Sequence, residues 1–182
     1  MLLFIGCSSK REIDKKYFDD CKELLSKILK DNDLIFGVCN DGIMGLSYDI
    51  AKENKRNVIG LCPMEYGNYL MDVECDEEIV TEGMLDSTLR IISKCDAIIL
   101  LPGGIGTMYE LFTSIQCKIC HEHNKPIIIY NSCGFYDKLL SFVDDMYREK
   151  FVSEDVKDMY MVANSCEEVV NYIEEISCMN SN

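Results

Sequence analysis

The run Pro102-Gly103-Gly104-Ile105-Gly106-Thr107-Met108-Tyr109-Glu110 puts a glycine turn, a hydroxyl and a carboxylate side by side. An apolar run, Ala97-Ile98-Ile99-Leu100-Leu101, precedes it and reads as a buried strand. Met108, Leu111, Phe112, Ile115 and Ile119 follow at helical spacing. Strand, glycine turn and helix start together make an anion site, because orphan N–H groups and the positive end of the helix dipole converge there. Gly103, Gly104, Ile105 and Gly106 are the candidate backbone donors, and the glycines let an anion approach closely. Thr107 either caps the helix or bonds a phosphate oxygen. Glu110 is the unusual member. Either it acts on a bound substrate, or it is the glutamate of a capping box three residues after Thr107.

Two further glycine turns follow strand-like runs. Gly6-Cys7-Ser8-Ser9 offers the hydroxyls of Ser8 and Ser9 to a phosphate, or is simply a turn. Asn40-Asp41-Gly42-Ile43-Met44-Gly45 opens a helix at Gly42. It lacks the glycine spacing of a dinucleotide fingerprint, and no acidic residue ends the next strand to hold a ribose. Cys117-Lys118-Ile119-Cys120-His121, with His123 after it, matches a haem-attachment pattern. The helical stripe through Ile119 makes these helix residues instead, and tetrahedral zinc sites draw ligand pairs from two segments. With His121 and His123 the only histidines, acid–base chemistry falls to a carboxylate.

The chain has 182 residues, enough for one domain with a single core. Its net charge of −14 disfavours nucleic acid and anionic membranes as partners. An anionic substrate must then be held by local N–H groups and a few cations. No stretch approaches the ~20 apolar residues of a membrane span, and the first residues do not read as a signal peptide. The 11 cysteines are scattered and mostly lie in apolar runs, so a reduced, cytoplasmic protein is expected.

Strands are expected at 2–6, 34–38, 57–61, 97–101, 126–130 and 159–162. Helices are expected at 15–29, 43–53, 84–94, 108–119, 135–148 and 166–176. Such alternation implies an α/β fold: a doubly wound, Rossmann-like parallel sheet with helices on both faces, as one domain over 1–178. Residues 179–182 read as a frayed tail. Residues 62–81 have no clear period and read as an excursion, either a lid over the site or a surface loop.

The motif Pro-Gly-Gly-x-Gly-Thr-x-x-Glu resembles the signature of the LOG family, phosphoribohydrolases once misnamed lysine decarboxylases. Supporting likenesses run through Gly6–Ser9, Gly42–Gly45, Val58–Pro63, Lys125-Pro126 and Gly134-Phe135-Tyr136. The resemblance implies cleavage of a nucleoside 5′-monophosphate to free base and ribose 5-phosphate, without metal or redox cofactor. It also implies a homodimer. Glu110 would stabilise the ribosyl cation, and the 103–107 backbone with Ser8, Ser9 and Gly42 would hold the substrate. The family carries Met-His-x-Arg-Lys on the preceding helix, its arginine pairing with the motif glutamate. Here that segment is Met84-Leu85-Asp86-Ser87-Thr88: Met84 matches, and Ser87 and Thr88 replace the basic pair. Arg90, three residues after Ser87, either supplies the missing cation or is a solvated surface arginine. Gln116 stands where the family usually has a threonine near the ligand. Retention of Glu110 favours a hydrolase. Loss of the Arg-Lys pair favours a non-hydrolytic binder of nucleotides or phosphoesters, like the family's molybdenum-cofactor carrier relatives.

Overall fold

Apolar runs too short for helices become strands here, and the amphipathic stretches between them cross over as helices. The computed structural model describes residues 1–66 and 73–180. Along the chain these form β1 (Leu2–Gly6), α1 (Lys15–Ile28), β2 (Asp33–Gly37), α2 (Gly42–Glu53), β3 (Val58–Pro63) and β4 (Glu77–Thr81). Then come α3 (Met84–Lys94), β5 (Ala97–Leu100), α4 (Ile105–Ile119), β6 (Ile127–Tyr130), α5 (Asp137–Arg148), β7 (Met161–Ala163) and α6 (Cys166–Asn180). The strands form one parallel sheet in the order β4-β3-β2-β1-β5-β6-β7.

Alternate strand residues feed two apolar layers, as the two-residue period of a strand requires. Leu3, Ile5, Leu34, Phe36 and Ile99 pack with Cys21 and Leu24 of α1, Ile50 of α2 and Val169 of α6. Phe4, Ile35, Ile98, Leu100 and Ile129 pack with Ile91 of α3, Leu111 of α4 and Leu140 of α5. Helices therefore cover both faces, and the expected doubly wound architecture holds.

One expectation fails. Residues 77–81 are not part of a loop or lid but the edge strand β4, paired with β3 from Ile59↔Glu77 to Pro63↔Thr81. An edge strand has one neighbour and one solvated side, so Glu77, Glu78 and Val80 are exposed and no apolar run announces it. The rest of that expected excursion includes 67–72, which lies outside the described residues. At the C-terminus, α6 runs past its expected end at Ile176 to Asn180. Of the expected frayed tail, 181 and 182 lie outside the described residues.

Chain order reverses at β1. It pairs with β2 on one side and β5 on the other, so the crevice beyond the ends of β1 and β5 is the switch point where such sheets bind ligands. All 11 cysteines are free thiols. Among the described residues no helix is long and apolar enough to cross a membrane.

Candidate active site

Three turns meet at the switch point and are tied by backbone hydrogen bonds. The Leu101 N–H donates to Gly6 O (2.8 Å) and the Ser8 N–H to Pro102 O (3.1 Å), joining the turns after β1 and β5. The Met44 N–H donates to Ser8 O (3.1 Å), bringing in the start of α2. Gly42 makes that approach possible. Its φ is +63°, and a Cβ there would lie 2.7 Å from the carbonyl oxygens of both Ser8 and Lys10. Below the glycine turn, the buried Tyr136 hydroxyl donates to Leu101 O (2.7 Å), and Asn131 Oδ1 accepts from the Tyr136 N–H (2.7 Å). The Gly134-Phe135-Tyr136 motif thus braces the end of β5.

α4 begins at Ile105 with Gly104 as its N-cap. Thr107 is therefore inside the first turn and is not the cap; it is buried, its side chain filling the space over Gly103. Its place inside the helix removes the capping-box reading of Glu110. One turn further along, Glu110 is 8% exposed, and its Oε2 occupies space against Gly6: a Cβ on Gly6 would come within 2.8 Å of it. Only a bare Cα at the end of β1 leaves room for this carboxyl. No charged partner or hydrogen bond holds the carboxylate among the described residues, and burial alone pushes its pKa up from 4.5 to about 8. Burial and the nearby Glu110 also push the Cys7 thiol up, so Cys7 is an inert neighbour rather than a nucleophile.

Glu110 opens into a cavity of about 380 Å³. Its lining combines Gly104, Gly106 and Thr107 of the α4 start and Ser8 and Ser9 with apolar side chains that include Val38, Met44, Leu61 and Ile91. Met84, Ser87 and Thr88 of α3 also line it, Ser87 and Thr88 being buried. The Thr88 hydroxyl is committed to Met84 O (3.0 Å). A cavity that combines anion donors, apolar walls and a buried carboxyl suits a phosphorylated sugar bearing a flat heterocycle.

Several expected site residues sit elsewhere. Arg90 does not reach the cavity: it is exposed on α3 and its Nε donates to Asp86 Oδ1 at 2.8 Å. Gly103 lines a neighbouring depression beside Tyr17 and Phe135, and Gly42 acts from behind, by shaping the turn after β1. Gln116 faces away, donating to Cys120 Sγ (3.3 Å). It lines a larger cavity of about 630 Å³ between α4 and α5, walled by side chains such as Phe112, Leu140 and Val143. Among the described residues no Asp, Glu, His, Lys or Arg lines that cavity, so size does not locate the chemistry. Lining residues of the Glu110 cavity that the sequence reading did not place in the site include the apolar Val38, Met44, Leu61 and Ile91, and one cation, Lys10, two residues past Ser8. The available signal was a cation placed just after the first Gly-x-Ser-Ser turn.

The chain is thus an α/β protein with a helix N-terminus and a buried carboxyl lining one cavity at its switch point. It belongs to the LOG family: a family model described as "Possible lysine decarboxylase" matches residues 44–173. A relative named cytokinin riboside 5′-monophosphate phosphoribohydrolase, from Oryza sativa subsp. japonica, is 34% identical over 177 residues, 94% of this chain and 72% of that protein. One of the same name from Arabidopsis thaliana is 32% identical over 179 residues, 95% of this chain and 81% of that protein. In fold, the chain is similar to the Moco carrier protein of Chlamydomonas reinhardtii, with a TM-score of 0.70 and 17% identity over 98% of both chains.

The buried carboxyl makes a prediction about stability. In the folded chain Glu110 keeps its proton up to about pH 8, whereas unfolded it ionises near 4.5. Its contribution to stability is therefore present below pH 4.5 and is lost as pH rises towards about 8. The Glu110→Gln chain stays neutral and escapes this loss. In urea unfolding at a series of pH values, the stability of Glu110→Gln relative to wild type should grow between about pH 5 and pH 8 by ~1 kcal/mol or more. A difference that stays flat across that window contradicts an unpaired buried carboxyl.

Proposed function

We propose that the protein hydrolyses the N-glycosidic bond of a nucleoside 5′-monophosphate of the AMP type, releasing free base and ribose 5-phosphate. The observation that carries this reading is the placement of a buried, unpaired carboxyl and a helix N-terminus in one cavity. The 5′-phosphate would accept hydrogen bonds from the backbone at 104–107 and from the hydroxyls of Ser8 and Ser9. The base would lie against the apolar lining of Met44, Leu61 and Ile91, with Met84 and Ser87 also lining the cavity. As the bond from C1′ to the base nitrogen breaks, positive charge develops on the ribosyl ring. The Glu110 carboxylate would face that charge and orient the attacking water. Water adds its oxygen to C1′ and its proton balances the departing base. The relatives whose names state this activity, over most of this chain's length, support the reading.

A second reading rests on a specific observation. The α3 Arg-Lys pair is replaced by Ser87 and Thr88, and Arg90 is occupied with Asp86. Without a cation at Glu110, a protein of this shape could hold a nucleotide or phosphoester without cleaving it, as a carrier. Incubation with AMP, GMP, CMP and an N6-substituted AMP, with free base followed by chromatography, separates the two. Turnover is expected, reduced about a hundredfold or more by Glu110→Gln. Because the ionised carboxyl does the work, kcat/KM should climb with pH through about pH 8 and level off only above it. Tight monophosphate binding without release of base selects the carrier. Turnover that survives Glu110→Gln removes Glu110 from the chemistry.

We also propose that the protein works in the cytoplasm as a homodimer, joined across the surface of α3 and α4 beside the cavity. Large apolar side chains are exposed there: Ile105 at 87%, Leu85 at 60% and Phe112 at 42%. Light scattering should give twice the 20.8 kDa chain mass, and Phe112→Glu should shift the protein towards monomer. A wild-type mass equal to one chain contradicts the dimer.

A further inference from the structure

Charge around the Glu110 cavity is uneven. Among the described residues its lining offers neutral N–H and O–H donors and one acid, Glu110. The chain as a whole carries −14, so the global field opposes a phosphate dianion. Among the described residues lining the cavity, Lys10 is the one basic side chain. The nearby basic residues are engaged elsewhere: Arg11 Nη2 lies 2.5 Å from Asp41 Oδ1, and Arg90 is paired with Asp86. Among the described residues Lys10 makes no ion pair.

The backbone below Lys10 is fixed on several sides. Its N–H donates to Ser8 Oγ (3.1 Å). Ser8 in turn is held by Pro102 of the glycine turn and by Met44 of α2, while Gly42 fits beneath the carbonyls of Ser8 and Lys10. The flexible stem of the lysine thus starts from a rigid base packed against the start of α2, on the rim of a cavity that the α4 start also lines. A lysine ammonium is a compact charge that suits a phosphate without needing a fixed fork geometry.

We propose that Lys10 is the cation that pairs with the 5′-phosphate of a nucleoside monophosphate seated at the start of α4. This rests on the monophosphate reading given above and adds to it the source of positive charge. Lys10 neutralises phosphate and does not replace the missing partner of Glu110. It is a binding residue, so its loss falls on affinity and KM while kcat changes little.

The test measures binding of AMP, ribose 5-phosphate and adenosine by titration calorimetry, with steady-state kinetics alongside. Wild type, Lys10→Ala, Lys10→Arg and, as a control, Arg90→Ala are compared. Lys10→Ala should weaken AMP and ribose 5-phosphate by about tenfold or more, leave adenosine unchanged and lower the salt sensitivity of binding. Lys10→Arg should keep most of the affinity, and Arg90→Ala should match wild type. If wild type binds AMP and Lys10→Ala binds it equally well, the Lys10 assignment is overturned while the monophosphate reading stands. If wild type binds neither AMP nor ribose 5-phosphate, both are overturned together.

Discussion

The contact between Glu110 and the bare Cα of Gly6 is the constraint on which the site depends. β1 and β5 are neighbours in the sheet, paired from Leu3↔Ala97 to Gly6↔Leu100. Their ends deliver one turn carrying hydroxyls and another carrying a helix N-terminus. The carboxyl one turn into α4 must then pass over the end of β1, where any side chain would collide with it. The bonds from Leu101 to Gly6, from Ser8 to Pro102 and from Tyr136 to Leu101 hold this approach in place. At the far end of α3, Lys125 Nζ donates to Ser93 O (2.8 Å) and also to Cys95 O, fixing the helix that contributes Ser87 and Thr88. Motif residues remote from the cavity therefore have structural work that bears directly on it.

Electrostatics sets the behaviour of this arrangement. A carboxyl held ionised by an arginine would be ready at neutral pH. This one is buried without such a partner, and burial raises its pKa to about 8. The helix dipole and the neutral donors at its N-terminus still favour an anion at the start of α4. The two demands fall on different parts of α4: the N-terminal donors at 104–107 and, about one turn on, the buried carboxyl of Glu110.

Much of this was legible in sequence because burial and period agree. The inner strands are continuous apolar runs, and α3 begins and ends where its amphipathic pattern does. The family signature marked Glu110 and the glycine turn. What failed has identifiable physical causes. β4 shows no apolar run because its outer side is solvated. Thr107 reads as a cap in sequence, but the helix starts earlier, at Ile105, since Gly104 supplies the extended cap conformation without a side-chain bond. Arg90 was placed by its spacing from Ser87. The buried arc of α3, however, runs from Ser87 through Ile91 and Thr88 to Ile92. At about 100° per residue Arg90 falls some 60° outside the Ser87 edge of that arc. Lys10 had no periodic signal, and its position became meaningful only once the sheet order placed β1 beside β5.

A crystal structure of the Glu110→Gln chain grown with AMP decides whether a monophosphate seats at the start of α4. Phosphate oxygens are expected within hydrogen-bond distance of the 104–107 backbone and Ser8. The ribose C1′ is expected beside residue 110 and the base among Met44, Leu61 and Ile91. AMP lodged in the apolar cavity between α4 and α5, or bound with its phosphate away from the α4 N-terminus, would contradict that placement.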